Sequence, residues 1–251
     1  MLSISGLSKH FGKVKAVDSL TLEVSKGEVF GLLGANGAGK TTTMRMLATM
    51  LTPTEGTASV NGFDLRKNPE KVRANTGLLF GGDTGLYERL TARENILYFA
   101  ELNDVPRDVA EQRAEAFAKS FDFTAHLDKY ASKLSKGTRQ KVALSRAIIH
   151  EPPLMMLDEP MVGLDVSARR DVEEFIIYLR DKGQTILLSD HTLSVVERLC
   201  GRVAILREGV LVECGKIEDL YAKYGTDSLE GVFFNMPEGQ KAEEGEGGAG
   251  K

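Results

Sequence analysis

Cysteine is nearly absent from this chain: Cys200 and Cys214 are the only two in 251 residues. Two thiols make no disulfide framework, and no metal-ligand spacing surrounds either one. Both are read as small hydrophobes in a chain suited to a reducing, cytosolic setting. A basic excess is missing too. The formal net charge is −4, which removes any general electrostatic case for nucleic acid as a partner. No run approaches the ~18 apolar residues of a transmembrane helix. The first residues lack the basic start and long apolar stretch of a secretory signal. What remains is an ordinary globular balance, 42% hydrophobic and 27% charged. It is enough chain for one large α/β domain or a domain with an insert.

One stretch carries chemistry by itself. Residues 28–33 form an apolar, strand-like run. Gly34 follows, then Ala35, Asn36, Gly37 and Ala38, then Gly39, Lys40 and Thr41. This is the phosphate-binding loop pattern, Gly, four residues, Gly-Lys-Thr. Thr42 and the residues to 48 continue as a helix-competent run. Strand, glycine loop and helix are the context the pattern needs. Glycines let backbone N–H groups close around phosphate oxygens, and a helix N-terminus adds positive potential there. Lys40 is placed to reach the β- and γ-phosphates, and the Thr41 hydroxyl to hold Mg2+. The loop predicts nucleotide binding. It does not separate a GTPase, a kinase, a motor or a transporter ATPase.

Around the loop the chain alternates. Residues 1–7, 17–24 and 28–33 read as strands, and 56–60 as a strand running into a tight turn at Asn61 and Gly62. Residues 88–148 change to helical spacing and form an insert, with helices expected over 91–100, 109–121 and 138–150. Strand-like runs return at 154–157, 185–188 and 202–206. Such alternation predicts a parallel sheet with helices packed around it. Residues 237–251 contain four Glu, five Gly and two Lys, with no aromatic residue. That composition cannot offset the entropy of ordering, so a disordered tail is expected. The division is a domain over 1–235 and a tail over 236–251.

A second constellation narrows the class. The run 154–157 ends in Asp158 and Glu159, followed by Pro160. Charge is thereby expected at the carboxyl edge of the sheet, where ligands bind in open α/β folds. Asp158 suits Mg2+ opposite Thr41. Glu159 suits the attacking water, accepting its hydrogen bond and then its proton. Upstream stand Ser135, Lys136, Gly137 and Thr138. Downstream stand Gly163, Leu164 and Asp165, and His191 closes the run 185–190. In this order and spacing the chain resembles the nucleotide-binding subunit of ATP-binding cassette (ABC) transporters, over residues 1 to about 235.

The resemblance implies an α/β fold of the P-loop NTPase class, ABC type. That fold has a RecA-like mixed sheet core, an antiparallel β-subdomain and a helical subdomain insert. It implies an ATPase that joins a second cassette, as homodimer or heterodimer, head to tail around two ATP molecules. Each ATP lies on the loop of one subunit and under Ser135 and Gly137 of the other. By the same resemblance His191 contacts the γ-phosphate, Asp165 sits at the dimer seam, and Phe11 stacks on adenine with Val17 beside it. The remaining partner it implies is an integral membrane permease, which holds the subunit at the cytoplasmic face of the cell membrane.

The chain also departs from the family. The usual hinge glutamine falls on Gly81 or Gly82, with Asp83 the candidate substitute, and Lys136 replaces a glycine. Two adjacent glycines suggest a hinge with unusual backbone angles. Residues 80–91 and 134–141 resemble the NatA-type ATPases of sodium-extruding ABC exporters. Residues 229–234 resemble the broader exporter group. This implies efflux; Na+ is the candidate cargo, with drugs or other substrates as the alternative. The rival is a non-transport cassette acting on ribosomes or DNA. A single cassette, no sustained heptads and an acidic balance weigh against it. A P-loop GTPase would need an Asn-Lys-x-Asp motif, which is missing.

Overall fold

Apolar runs that looked continuous in sequence are split, residue by residue, between two faces of one sheet. The computed structural model describes residues 1–82 and 84–237. In chain order the elements are β1 (Leu2–Phe11), β2 (Val14–Val24), β3 (Val29–Leu33), α1 (Lys40–Leu47), β4 (Glu55–Val60), β5 (Phe63–Asp64), α2 (Pro69–Ala74) and β6 (Thr76–Phe80). Then come α3 (Ala92–Glu101), α4 (Arg107–Ser120), α5 (Lys136–Ile148), β7 (Leu154–Asp158), α6 (Val166–Asp181), β8 (Thr185–Ser189), α7 (Leu193–Leu199), β9 (Arg202–Arg207), β10 (Val210–Lys216), α8 (Ile217–Tyr224) and α9 (Leu229–Asn235).

The central sheet has six strands in the order β10-β9-β3-β8-β7-β6. It is parallel except for β10, which runs antiparallel to β9. A four-stranded antiparallel sheet, β2-β1-β4-β5, covers one face together with α1. Phe30, Leu32, Leu154, Met156 and Leu187 point to that side. Val29, Leu33, Met155, Leu157, Ile186 and Leu188 point to the other, where the helices lie. Both faces are covered, so the strands carry no polar alternation. The expected mixed sheet, antiparallel β-subdomain and helical insert are all present.

The insert is built on small residues. Ala110, Ala114 and Ala118 of α4 recur every fourth position and are buried together. Thr91 opens α3 with a reciprocal capping box to Glu94. Arg93 Nε donates to Asp128 at 2.8 Å, and its guanidinium also pairs with Glu111 and Glu115 of α4. The third helix starts earlier than expected, at Lys136 and not 138. The cause is Ser135, whose hydroxyl accepts from the Thr138 N–H and caps the helix.

At the other end, Met236 is buried in the core on the helical side, one residue past the expected boundary. Residues 238–251, which carry the rest of the expected tail, lie outside the described residues. Both cysteines are free; Cys200 is buried and burial pushes its thiol pKa up. Among the described residues no helix is long and apolar enough to cross a membrane.

The β10–α8 contact contains a buried carboxylate. Glu213 is 8% exposed. It accepts from Lys223 Nζ and Tyr224 OH, each at 2.6 Å. Burial alone would raise its pKa, but the hydrogen bonds from Lys223 and Tyr224 outweigh this and hold it below the usual 4.5. A depressed folded-state pKa stabilises fully above the unfolded value, and that stability is lost as pH falls below it. Glu213→Gln is therefore expected to lower stability at pH 7 by about 1–3 kcal/mol. The variant should also lose less further stability than the parent as pH drops below 4.5. Urea denaturation at both pH values checks this, and equal acid sensitivity would contradict it.

Candidate functional site

Strand register sets where the chemistry collects. Leu32 pairs Ser189, Ser189 pairs Asp158, and Asp158 pairs Phe80 across β3, β8, β7 and β6. These strands therefore end in line. Just beyond their ends come the glycine loop, Asp190 and His191, Glu159, and Gly81. Four separate stretches of sequence meet at one carboxyl edge.

The loop is pressed tightly onto its surroundings. Gly34 has φ 150° and Gly39 φ 103°. A Cβ on Gly34 would lie 2.4 Å from the Leu206 carbonyl, and one on Gly39 2.5 Å from the Ala16 carbonyl. No side chain fits at either position. Val17 is fully buried with Cγ2 against Gly39, so it supports the loop from below and is not open to a base. Phe11 differs: at the β1–β2 hairpin tip the residue is 51% exposed, paired with exposed Val14, and the Lys9 ammonium lies 5.2 Å from its ring centroid. An open ring of this kind suits stacking on a flat base.

Lys40 is 5% exposed, and its ammonium donates to the carbonyls of Gly34 at 2.7 Å and Ala35 at 3.1 Å. Among the described residues no carboxylate pairs with it. The first turn of α1 contains no acid either, and its leading N–H groups have no partner within the helix. A buried cation beside free N–H groups is a site for an anion. Ala35, Asn36 and Gly37 are exposed on the loop, and Ala38 is buried beneath it. Thr43 spends its hydroxyl on the Gly39 carbonyl. Thr41 and Thr42 are half-buried at the first turn.

At the end of β7, Asp158 is buried and accepts from the Ser189 hydroxyl at 2.7 Å. Glu159 sits in the left-handed region at φ 48°, rare for a residue with a side chain. Its N–H donates to the Ser189 carbonyl at 2.8 Å, and its carbonyl accepts from the Val162 N–H at 3.1 Å. Its carboxylate lies 3.7 Å from His191 Nδ1. That is beyond a direct hydrogen bond but within the span of one water. His191 itself is exposed, and Asp190 beside it caps the Thr192 N–H at 2.8 Å. Asp158, Glu159 and His191 are thus brought together.

The Ser135 segment forms a separate cluster. Ser135 and Lys136 are exposed at the start of α5. Gly137 packs against Ala168 of α6, with room for no Cβ. Lys136 Nζ lies over Gly163, and Asp165 caps α6 through the Ala168 N–H at 2.9 Å. Gln140, buried, donates to the Pro160 carbonyl at 2.6 Å and fixes α5 to the turn after Glu159. Among the described residues no hydrogen bond or ion pair joins residues 135–138 to residues 34–42. Ser189 and Gln140 were missed from sequence. A polar residue on the buried stripe of α5 was the signal for Gln140. Ser189 closes its strand as Asp158 closes the neighbouring one.

The hinge is partly as expected. Gly82 has φ 87°, but Gly81 lies outside the left-handed region. Asp83, the candidate substitute for a glutamine, lies outside the described residues. Among the described residues no group of three or more His, Cys, Asp or Glu gathers to hold a metal. The donor chemistry of a buried Asp158 carboxylate and a Thr41 hydroxyl suits Mg2+, which completes its shell with waters and the oxygens of a bound phosphate.

Comparison with known proteins adds to this geometry. Residues 17–162 match the family described as ABC transporter. The ABC transporter ATP-binding protein NatA of Bacillus subtilis (strain 168) is 40% identical over 239 residues, covering 94% of this chain and 97% of that protein. The methionine import ATP-binding protein MetN 1 of Bacillus anthracis is 36% identical, covering 88% of this chain and 66% of that protein. A solved ATP binding subunit of an ABC transporter superposes with a TM-score of 0.86, at 31% identity over 93% of this chain and 98% of that one. A dimeric ATP-binding cassette in a post-hydrolysis state, bound to ADP and Pi, shares the fold with a TM-score of 0.78 at 23% identity, over 86% of this chain and 99% of that one.

The Gln140 link is open to a direct test. Gln140→Ala leaves the buried Pro160 carbonyl without its partner. A loss of about 1–3 kcal/mol in urea denaturation is expected. Unchanged stability would mean that the carbonyl finds another donor.

Proposed function

The chain belongs to the ABC transporter family as an ATP-binding subunit with an ATPase domain, and on that premise we propose that it drives export through a separate integral membrane permease, with Na+ as cargo. The observation that carries the ATP-driven, two-cassette part of the reading is the division of the site. A buried Lys40 with no carboxylate partner lies in one cluster and an exposed, helix-capping Ser135 in another, with no hydrogen bond or ion pair between them among the described residues.

The chemistry follows from the residues. Phe11 stacks on adenine. Backbone N–H groups over residues 34–42 and the Lys40 ammonium take the phosphates, Lys40 leaving the carbonyls of Gly34 and Ala35 to do so. Thr41 and Asp158 would hold Mg2+, whose charge offsets that of the phosphates. Glu159 orients a water toward the γ-phosphorus and takes its proton as the bond to the β-phosphate oxygen breaks, giving ADP and Pi. His191 steadies that water and the γ-phosphate. A second cassette, identical or different, supplies the Ser135 hydroxyl and the N-terminus of α5, with Asp165 at the seam. That contact needs the γ-phosphate, so hydrolysis shifts the dimer toward opening.

Export is supported by the 40% identity to NatA over nearly the whole of both chains. The hinge stretch over residues 80–91 adds to it. The methionine importer matches over only 66% of its own length. Docking of the permease is assigned to the helical insert and the Gly81–Gly82 hinge. Tyr87, Tyr98 and Leu102 are exposed there, the two rings meeting edge to face at 5.4 Å. Arg146 holds the Thr84 and Gly85 carbonyls at 2.8 and 2.7 Å and stacks on Phe99, tying the hinge to α5. Such docking places the subunit at the cytoplasmic face of the membrane.

Lys40→Ala is expected to weaken ATP binding by about a hundredfold or more, through loss of a charge-assisted contact. Glu159→Gln should bind ATP normally, turn over at least ~100-fold more slowly and accumulate an ATP-bound dimer. Calorimetry, phosphate release and size-exclusion chromatography read these outcomes. Rapid hydrolysis by the Glu159→Gln protein would overturn the base assignment. For cargo, co-purification with a permease and ATP-dependent Na+ efflux is the expected result. Drug efflux without Na+ movement would reassign the cargo, and salt-dependent RNA or DNA binding would favour the non-transport reading.

A further inference from the structure

Gly81 lies at the end of β6, next to the end of β7. Its backbone angles do not demand glycine, since it lies outside the left-handed region. Its surroundings do. The Gly81 N–H donates to the Asp158 carbonyl at 2.6 Å. A Cβ at this position would lie 2.3 Å from the Glu159 carbonyl oxygen and 3.0 Å from that of Asp158. Both obstacles are backbone and cannot swing aside. The Glu159 peptide is the strained one, at φ 48°. Strain of this kind persists only where the surroundings over-determine it. Here β8 holds the Glu159 N–H through the Ser189 carbonyl, and the following turn holds the Glu159 carbonyl through the Val162 N–H. The bare Gly81 backbone closes the third side.

We infer that Gly81 is a positioning residue for Glu159. Its missing side chain lets the end of β6 clamp the Asp158–Glu159 backbone in the one arrangement that aims the Glu159 carboxylate at the attacking water. At this position the chain acts through main-chain contact with the base, with no side chain offered to metal or water. The inference rests on Glu159 being the general base. Any side chain at 81 must push the Glu159 peptide away by several tenths of an ångström or more. Displacements on the scale of 1 Å cost about a hundredfold in rate when a reacting group loses its alignment.

The test uses the full chain with Gly81→Ala and Gly81→Gln, with turnover counted per bound nucleotide. ATP affinity is expected to stay within about threefold of the parent, while kcat falls by tenfold to about a hundredfold. The ATP-bound dimer should accumulate, as for Glu159→Gln. Gly81→Ala combined with Glu159→Gln should be no slower than Glu159→Gln alone, because both act through one carboxylate. Turnover within about twofold of the parent for Gly81→Ala or Gly81→Gln would overturn the inference. So would loss of ATP binding, since a positioning role leaves binding intact, and so would a full additional loss in the double variant. If Glu159→Gln itself hydrolyses ATP freely, the base assignment fails first. If Glu159→Gln is inactive while Gly81→Ala is normal, only the present inference fails.

Discussion

Everything at the site depends on the register of four parallel strands. Leu32, Ser189, Asp158 and Phe80 stand side by side, so residues far apart in the chain leave the sheet at one level. A slip of one residue in β7 would exchange its two faces. It would carry Asp158 away from the Ser189 hydroxyl and turn Leu154 and Met156 toward the wrong core. The two hydrophobic clusters therefore lock the register, and the register places the acids. Packing and chemistry are one constraint at this edge.

The second governing feature is charge left without a counter-charge among the described residues. A buried Lys40 ammonium held by two carbonyls sits beside a helix N-terminus with no acid in its first turn. Burying a cation this way is costly unless an anion arrives. The Ser135 helix repeats the pattern on the surface, with Lys136 at its first position and no acid in its first turn. Two anion-seeking ends on one chain, unconnected to each other among the described residues, make physical sense if one nucleotide bridges two chains. Binding would then supply the free energy of association, and loss of the γ-phosphate would withdraw it.

Much of this was legible in the sequence because the signals are local. A glycine loop between an apolar run and a helix needs nothing distant to be recognised. Strands buried on both faces show as unbroken apolar runs. The start of α5 was also a local matter: it was expected at 138, and the Ser135 cap sets it at Lys136. What sequence could not show were partners across the sheet. Ser189 meets Asp158 from 31 positions away, and Gln140 meets Pro160 from 20. Val17 was placed beside a base through the family resemblance, whereas packing buries it under Gly39. The paired glycines at 81 and 82 were both read as conformational. One has the unusual angle and the other the close approach, and only three-dimensional contact separates the two causes.

The central claim is that one active site takes parts from two chains, and mixing two broken chains tests it most directly. Lys40→Ala breaks the loop and leaves Ser135 intact, and Ser135→Arg does the reverse. Each protein alone should hydrolyse ATP at a background rate. A mixture should regain activity, because its heterodimer contains one site with an intact Lys40 from one chain and an intact Ser135 from the other. Full activity of Ser135→Arg on its own, or a mixture no faster than its components, would contradict the account.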